Sequence, residues 1–141
     1  MTPLLDPASQ GAPEDWLRHA QSDLRVARLV RQDLDILPHQ PAFHAQQAVE
    51  KAMKGVFVHH AVPFPKTHDL QDLVELLQAH GIAWPFAVDE VEPLTSYAIH
   101  TRYPGGFAEV RRQEVDQAIA VAEKVLDWAR LQIIPSHTGS T

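Results

Sequence analysis

The sequence has no cysteine among its 141 residues, which excludes disulfides, thiolate catalysis and zinc sites built on cysteine. It also has no apolar run near the ~20 residues that a membrane-spanning helix requires. The N-terminal stretch MTPLLDPASQGAPED lacks the basic and apolar regions of a signal peptide. We therefore expect a soluble, cytoplasmic protein without membrane association, and the length suits one domain.

Basic residues are outnumbered, with 12 against 18 acidic ones, and the formal net charge of −6 repels nucleic acid overall. Any site for a nucleotide or RNA must therefore be a local basic patch. The sequence contains no glycine-rich phosphate loop and no serine in a nucleophile motif. Its nine histidines form no HExxH or comparable motif, so we predict no metal site and no cofactor.

Helical periodicity is the strongest positive signal, and it is centred on the stretch from Pro41 to Leu70. Apolar residues there recur at the spacing of one helix face: Ala42, Ala45, Val49, Ala52, Met53 and Val56. This pattern predicts a buried central helix. The opposite side carries Gln47, Glu50, Lys51 and Lys54, and the four-residue step from Glu50 to Lys54 favours an ion pair.

Four further helices are predicted around this one. The first begins near Glu14 and Asp15, the third is capped by Thr67, the fourth runs from about Asp89 to Tyr103, and the fifth ends before Pro135. No segment favours a strand. The sequence thus predicts an all-α fold, an antiparallel four- to five-helix up-and-down bundle over residues 14–134. A flexible leader (1–13) precedes it and a disordered tail (135–141) follows.

The first helix also carries several arginines that lie mostly off its apolar stripe. They are Arg18, Arg25, Arg28 and Arg31. Such a series forms either a solvated face or a ridge that binds a polyanion.

Four sequence motifs, in the order in which they occur along the chain, resemble those of the HEPN domain family. The first, WLRHAQSDLRVA, is followed by FHAQQAVEKAMKGV, then KTHDL, then RYP at 102–104. The resemblance covers Trp16 to about Ala129. It implies an all-α bundle that forms a homodimer and is often made beside a minimal nucleotidyltransferase, sometimes as a toxin–antitoxin pair.

Ribonucleases of this family carry an Arg, four to six residues and then a His near the start of the last helix. Only Arg130 and His137 have that spacing here, and the intervening segment crosses Pro135. No histidine follows Arg102 at the required distance, and the nearby His100 precedes it. The sequence departs from the catalytic pattern, so we assign no catalytic residue.

Five residues at helix ends are candidates for one phosphate-binding pocket: Lys54, Lys66, His68, Arg102 and Tyr103. The N-terminus of the third helix would offer free N–H groups beside Lys66 and His68, and Arg102 could bind phosphate bidentately. The alternative is structural: a turn capped by Thr67 and held by a hydrogen bond from His68, with Arg102 complementing a helix dipole.

Three functions remain open from the sequence. The first is a HEPN-type bundle that binds nucleotide or RNA phosphate and acts with a minimal nucleotidyltransferase partner. The second is a metal-independent endoribonuclease, in which an Arg and a His or Tyr promote attack by a 2′-hydroxyl. The third is a non-catalytic dimerisation scaffold.

Overall fold

The computed structural model describes residues 3–99 and 109–134. The α-helices within these ranges are α1 (Pro13–Arg31), α2 (His39–His59), α3 (Leu70–Ala79), α4 (Val88–Val91) and α5 (Arg112–Ile133). The same ranges contain 3-10 helices at Pro7–Ser9 and Glu92–Ala98, and the short strands β1 (Leu4–Leu5) and β2 (Phe64–Pro65). The predicted all-α fold is confirmed.

Helix α2 is the centre of the bundle. It packs against α1 and α5 most extensively, and also against α3 and the second 3-10 helix. The apolar face predicted from its periodicity is fully buried, from Ala42 to Val56. Small side chains make this close packing feasible: a Cβ on Gly55 would lie only 2.9 Å from the Cβ of Trp16. Within the described ranges, no helix is both long and apolar enough to cross a membrane.

Ion pairs join α1 to α5 across the surface. Arg28 lies 3.1 Å from Glu123, and Arg31 lies 2.6 Å from Asp116. A third arginine of the series, Arg18, pairs within α1. Most of the arginine series therefore has acidic partners within the bundle, which favours the solvated face over a ridge free to bind a polyanion.

The segment before α1 carries structure that the sequence analysis did not predict. Strand β1 pairs antiparallel with β2, with Leu4 opposite Pro65 and Leu5 opposite Phe64. The carboxylate of Asp6 caps the 3-10 helix that follows. The expectation of no strand is therefore wrong, since Leu4 and Leu5 of the predicted leader pair with Pro65 and Phe64. Local periodicity does not reveal such pairing.

The fourth helix is shorter than predicted. Helix α4 ends at Val91, and the chain continues as a 3-10 helix that ends at Ala98 with Ile99 extended. Pro93 explains the change of helix type, since proline has no N–H for an α-helical bond and its ring excludes the carbonyl four residues earlier. The predicted end at Tyr103 lies outside the described residues.

Candidate functional site

A buried polar cluster lies on α2, centred on the carboxylate of Glu50. The ammonium group of Lys54 donates to Oε2 at 2.9 Å, and the amide of Gln46 donates to Oε1 at 2.9 Å. The side chains of Glu50 and Lys54 are only 5% and 8% exposed. The predicted ion pair is thus present. The pair is buried, and α3 and the second 3-10 helix also pack on α2.

Glu50 is ionised in this cluster. Burial by itself raises the pKa of the carboxyl group, but the charge of Lys54 and the hydrogen bonds from Lys54, Gln46 and His68 lower it by more. The net pKa lies below the ordinary value of 4.5. The carboxylate is therefore a fixed, acceptor-only group at neutral pH.

His68 brings an exposed imidazole ring to this buried pair. Its Nδ1 lies 2.8 Å from Oε1 of Glu50, and its side chain is 67% exposed. Because an ionised carboxylate can only accept, Nδ1 must carry the hydrogen. Atom Nε2, at the far side of the ring, makes no hydrogen bond to the part of the chain that the structure describes. It is therefore available to a ligand.

The cap of α3 differs from the one predicted. Asp69 is the N-cap and its carboxylate accepts from the N–H of Gln71 at 3.0 Å, whereas Thr67 accepts from the N–H of Asp69. The N–H of Leu70 donates to the hydroxyl of Thr95 at 3.2 Å. The protein itself thus occupies the first N–H groups that a phosphate would use at this terminus.

Negative charge also accumulates at the start of α3. The pKa of Asp72 is raised by partial desolvation and then by the charges of Asp69 and Glu75. These negative charges disfavour a phosphate on the helix axis at the start of α3. Lys66 is exposed two residues before His68 and supplies a positive charge on the same segment.

The structure brings together Lys54 and His68 from the predicted set, through Glu50. Lys54 directs its charge into the protein, so it balances the carboxylate and does not face solvent. Arg102 and Tyr103 lie outside the described residues, so their positions relative to His68 stay predictions.

Sequence reasoning missed Gln46 and Glu50 as members of this site. Their four-residue spacing, continued by Lys54, places three polar side chains along one helix line. That signal was present in the sequence. What it could not show is that other elements cover the line and make its hydrogen bonds obligatory.

A second carboxylate, from α1, bonds a histidine and a lysine of α2 in the same way. Asp23 of α1 lies 2.9 Å from Nδ1 of His44 and accepts from the ammonium of Lys51 at 2.6 Å. Both α2 side chains are about three-quarters buried, and Asp23 is 14% exposed. Two imidazole–carboxylate–lysine groups therefore flank the polar side of the central helix.

The arginine of the ribonuclease-like spacing lies in a different setting. Arg130 is in the last turn of α5 and donates to Asp127 at 2.7 Å. His137 lies outside the described residues. Among residues 3–99 and 109–134, no three His, Asp or Glu side chains come together in a way that could hold a metal ion.

Residues 13–132 match the family model described as HEPN domain, so the chain belongs to the HEPN family. The structure is similar to the crystal structure of TT1696 from Thermus thermophilus, with a TM-score of 0.72 and 28% identity. That match covers 85% of this chain and 97% of the other.

A second similar structure is the crystal structure of ST0689, described as an archaeal HEPN homologue, with a TM-score of 0.64 and 22% identity. It covers 88% of this chain and 99% of the other. At that identity the likeness shows the fold alone. No curated protein matches the sequence.

Proposed function

We propose that this HEPN protein binds the phosphate of a nucleotide or an RNA at His68 and acts with a minimal nucleotidyltransferase partner in the cytoplasm. The observation that carries the proposal is the bond from Nδ1 of His68 to the buried Glu50. This bond fixes the ring and leaves Nε2 open to solvent. An imidazole held in this way can donate to a phosphate oxygen once it is protonated.

The charge balance around His68 supports an anionic ligand. Glu50 and Lys54 neutralise each other at 2.9 Å, so the buried pair adds no net charge. Lys66, exposed two residues before His68, then supplies the local positive charge. In the sequence, Arg102 and Tyr103 are the further candidates to contact the ligand. Because few charges take part, binding should weaken only gradually with added salt.

The partner and the homodimer rest on family membership. Membership of this family implies a dimer. It also implies a protein that is often made beside a nucleotidyltransferase, sometimes as a toxin–antitoxin pair. Light scattering at micromolar concentration, with and without the nucleotidyltransferase from a neighbouring gene, tests both. A monomer in both samples would remove the support for partnership and would leave the plain scaffold as the better account.

Calorimetry with ATP and with a short RNA tests the binding site. Losing one charge-assisted hydrogen bond costs about 1.5 to 3 kcal/mol, so His68→Ala, Lys66→Ala and Arg102→Ala should each weaken binding roughly ten-fold or more. The control is His80→Ala, which removes an exposed histidine whose Nδ1 bonds the carbonyl of Leu76. Wild-type affinity in the His68 and Lys66 variants would overturn the proposal.

A metal-independent endoribonuclease is the second candidate, favoured by the same bond between Glu50 and His68. A carboxylate that orients an imidazole is what a general base requires. We rank it second because the side chain of Arg130 is bonded to Asp127. No histidine among the described residues follows Arg130 at the spacing of the family's ribonucleases. We expect little or no RNA cleavage in buffer containing EDTA. Efficient cleavage lost in Arg102→Ala would reverse the ranking.

A further inference from the structure

A hollow of about 200 Å³ lies beside α1, at its seam with α2. We call it the Trp16 hollow. Its lining residues are Gln10, Asp15, Trp16, His19 and Lys51. It adjoins the Asp23–Lys51 pair and lies outside the cluster around Glu50. None of the five lining residues belongs to the candidate phosphate site.

The indole ring in this hollow is fixed from several sides. Its Nε1 donates to the carbonyl of Gln10 at 2.7 Å. The ring packs edge-on against Phe64, with centroids 6.3 Å apart and planes at 85°. The Cβ of Trp16 lies against the bare backbone of Gly55. Trp16 is nevertheless only half-buried, so part of a rigid aromatic surface faces the hollow.

The charges around the hollow are matched. Asp15 pairs with Arg18 at 3.2 Å, and Lys51 pairs with Asp23 at 2.6 Å. A hollow with balanced charges and an aromatic wall suits an uncharged planar ring better than a phosphate. Fixed aromatic side chains bind single-stranded nucleic acids by base stacking.

Trp16 packs against Phe64, which precedes His68 by four residues in the chain. The backbones of Phe64 and His68 are therefore at most about 14 Å apart, which brings the hollow and His68 within reach of one oligonucleotide. We propose that the Trp16 hollow is a nucleobase subsite, and that the ligand is a single-stranded oligonucleotide with one base stacked on Trp16 and a phosphate at His68. This inference rests on the proposed function.

The test compares two ligands by calorimetry: tetra-adenylate and the matched ribose-phosphate tetramer without bases. Trp16→Leu should weaken tetra-adenylate binding about ten-fold, the effect of losing one stacked base, and should leave the abasic tetramer unchanged. His68→Ala should weaken both ligands. In the wild-type protein, the indole ¹H–¹⁵N resonance of Trp16 should shift with tetra-adenylate and not with the abasic tetramer. This readout does not depend on the folding of the Trp16 variant.

The outcomes separate the two proposals. If His68→Ala weakens both ligands while Trp16→Leu binds tetra-adenylate like wild type, the nucleobase subsite is wrong and the phosphate site stands. An indole resonance of Trp16 that does not change when tetra-adenylate binds would likewise overturn the nucleobase subsite alone. If neither tetramer binds the wild-type protein, both proposals are overturned.

Discussion

Nδ1 of His68 lies 2.8 Å from Oε1 of Glu50, which links an exposed ring to a nearly inaccessible carboxylate. The ring belongs to the segment before α3, whereas the carboxylate belongs to α2. The same carboxylate also holds Lys54. A ligand at His68 would therefore contact a group whose orientation depends on the packing of the bundle. Stability measurements on Glu50 and Lys54 test that dependence.

Lys54→Met should destabilise the protein by about 3 to 5 kcal/mol, because it leaves the buried carboxylate of Glu50 without its charged partner. Urea unfolding measures the change. The double variant Glu50→Leu with Lys54→Met should recover most of the loss, since no buried charge remains. Lys124→Met is the matched surface control, because Lys124 pairs with Glu90 at 2.8 Å with its side chain 55% exposed. A small effect of Lys54→Met would show that the buried pair is not strongly coupled.

The pKa of Glu50 is lowered in the folded state, so its contribution to stability is present above the ordinary value of 4.5. It is lost as the pH falls through the lower folded value, because the unfolded chain then binds the proton more readily. The difference in unfolding free energy between wild type and Glu50→Gln should therefore shrink from neutral to acid pH. A difference that is constant over this range would contradict the assignment of an ionised Glu50.

Gly55→Ala should destabilise the protein by about 1 to 3 kcal/mol through overpacking. The added Cβ would lie 2.9 Å from the Cβ of Trp16 and 3.3 Å from Cδ1 of Ile133. Alanine gains about 1 kcal/mol in helix propensity over glycine, which offsets part of this cost. Thermal unfolding measures the sum. A higher melting temperature would mean that α1 moves away from α2 easily.

The two side chains before α3 should differ in their effect on stability. Asp69→Ala should cost about 1 kcal/mol, because it removes the N-cap bond to the N–H of Gln71. Thr67→Ala removes only the bond to the N–H of Asp69, outside the helix, and should cost less. Denaturant unfolding of both variants measures this order. The reverse order would favour Thr67 as the cap that the sequence suggested.

The sequence predicted those parts of the fold that local periodicity determines. The buried face of α2 and the apolar face of α3, at Leu70, Leu73, Val74 and Leu77, lie in the core as expected. The pairing of β1 with β2 joins segments about 60 residues apart in the chain. Such pairing depends on the assembled bundle, so no local pattern reveals it.

The candidate site was predicted less completely for a related reason. The residues of KTHDL and the spacing from Glu50 to Lys54 were recognised. Whether a polar line on a helix faces solvent or is covered depends on elements distant in sequence. Because Glu50 is buried by these elements, its carboxylate is held in place and orients the ring of His68.

The most direct test of the central claim is the ¹⁵N resonance of Nε2 in His68 during titration with ATP. This resonance should shift and should saturate with the affinity measured by calorimetry. His80, exposed and held through its own Nδ1, should not shift. If ATP binds while Nε2 of His68 keeps its resonance, phosphate recognition at His68 is contradicted.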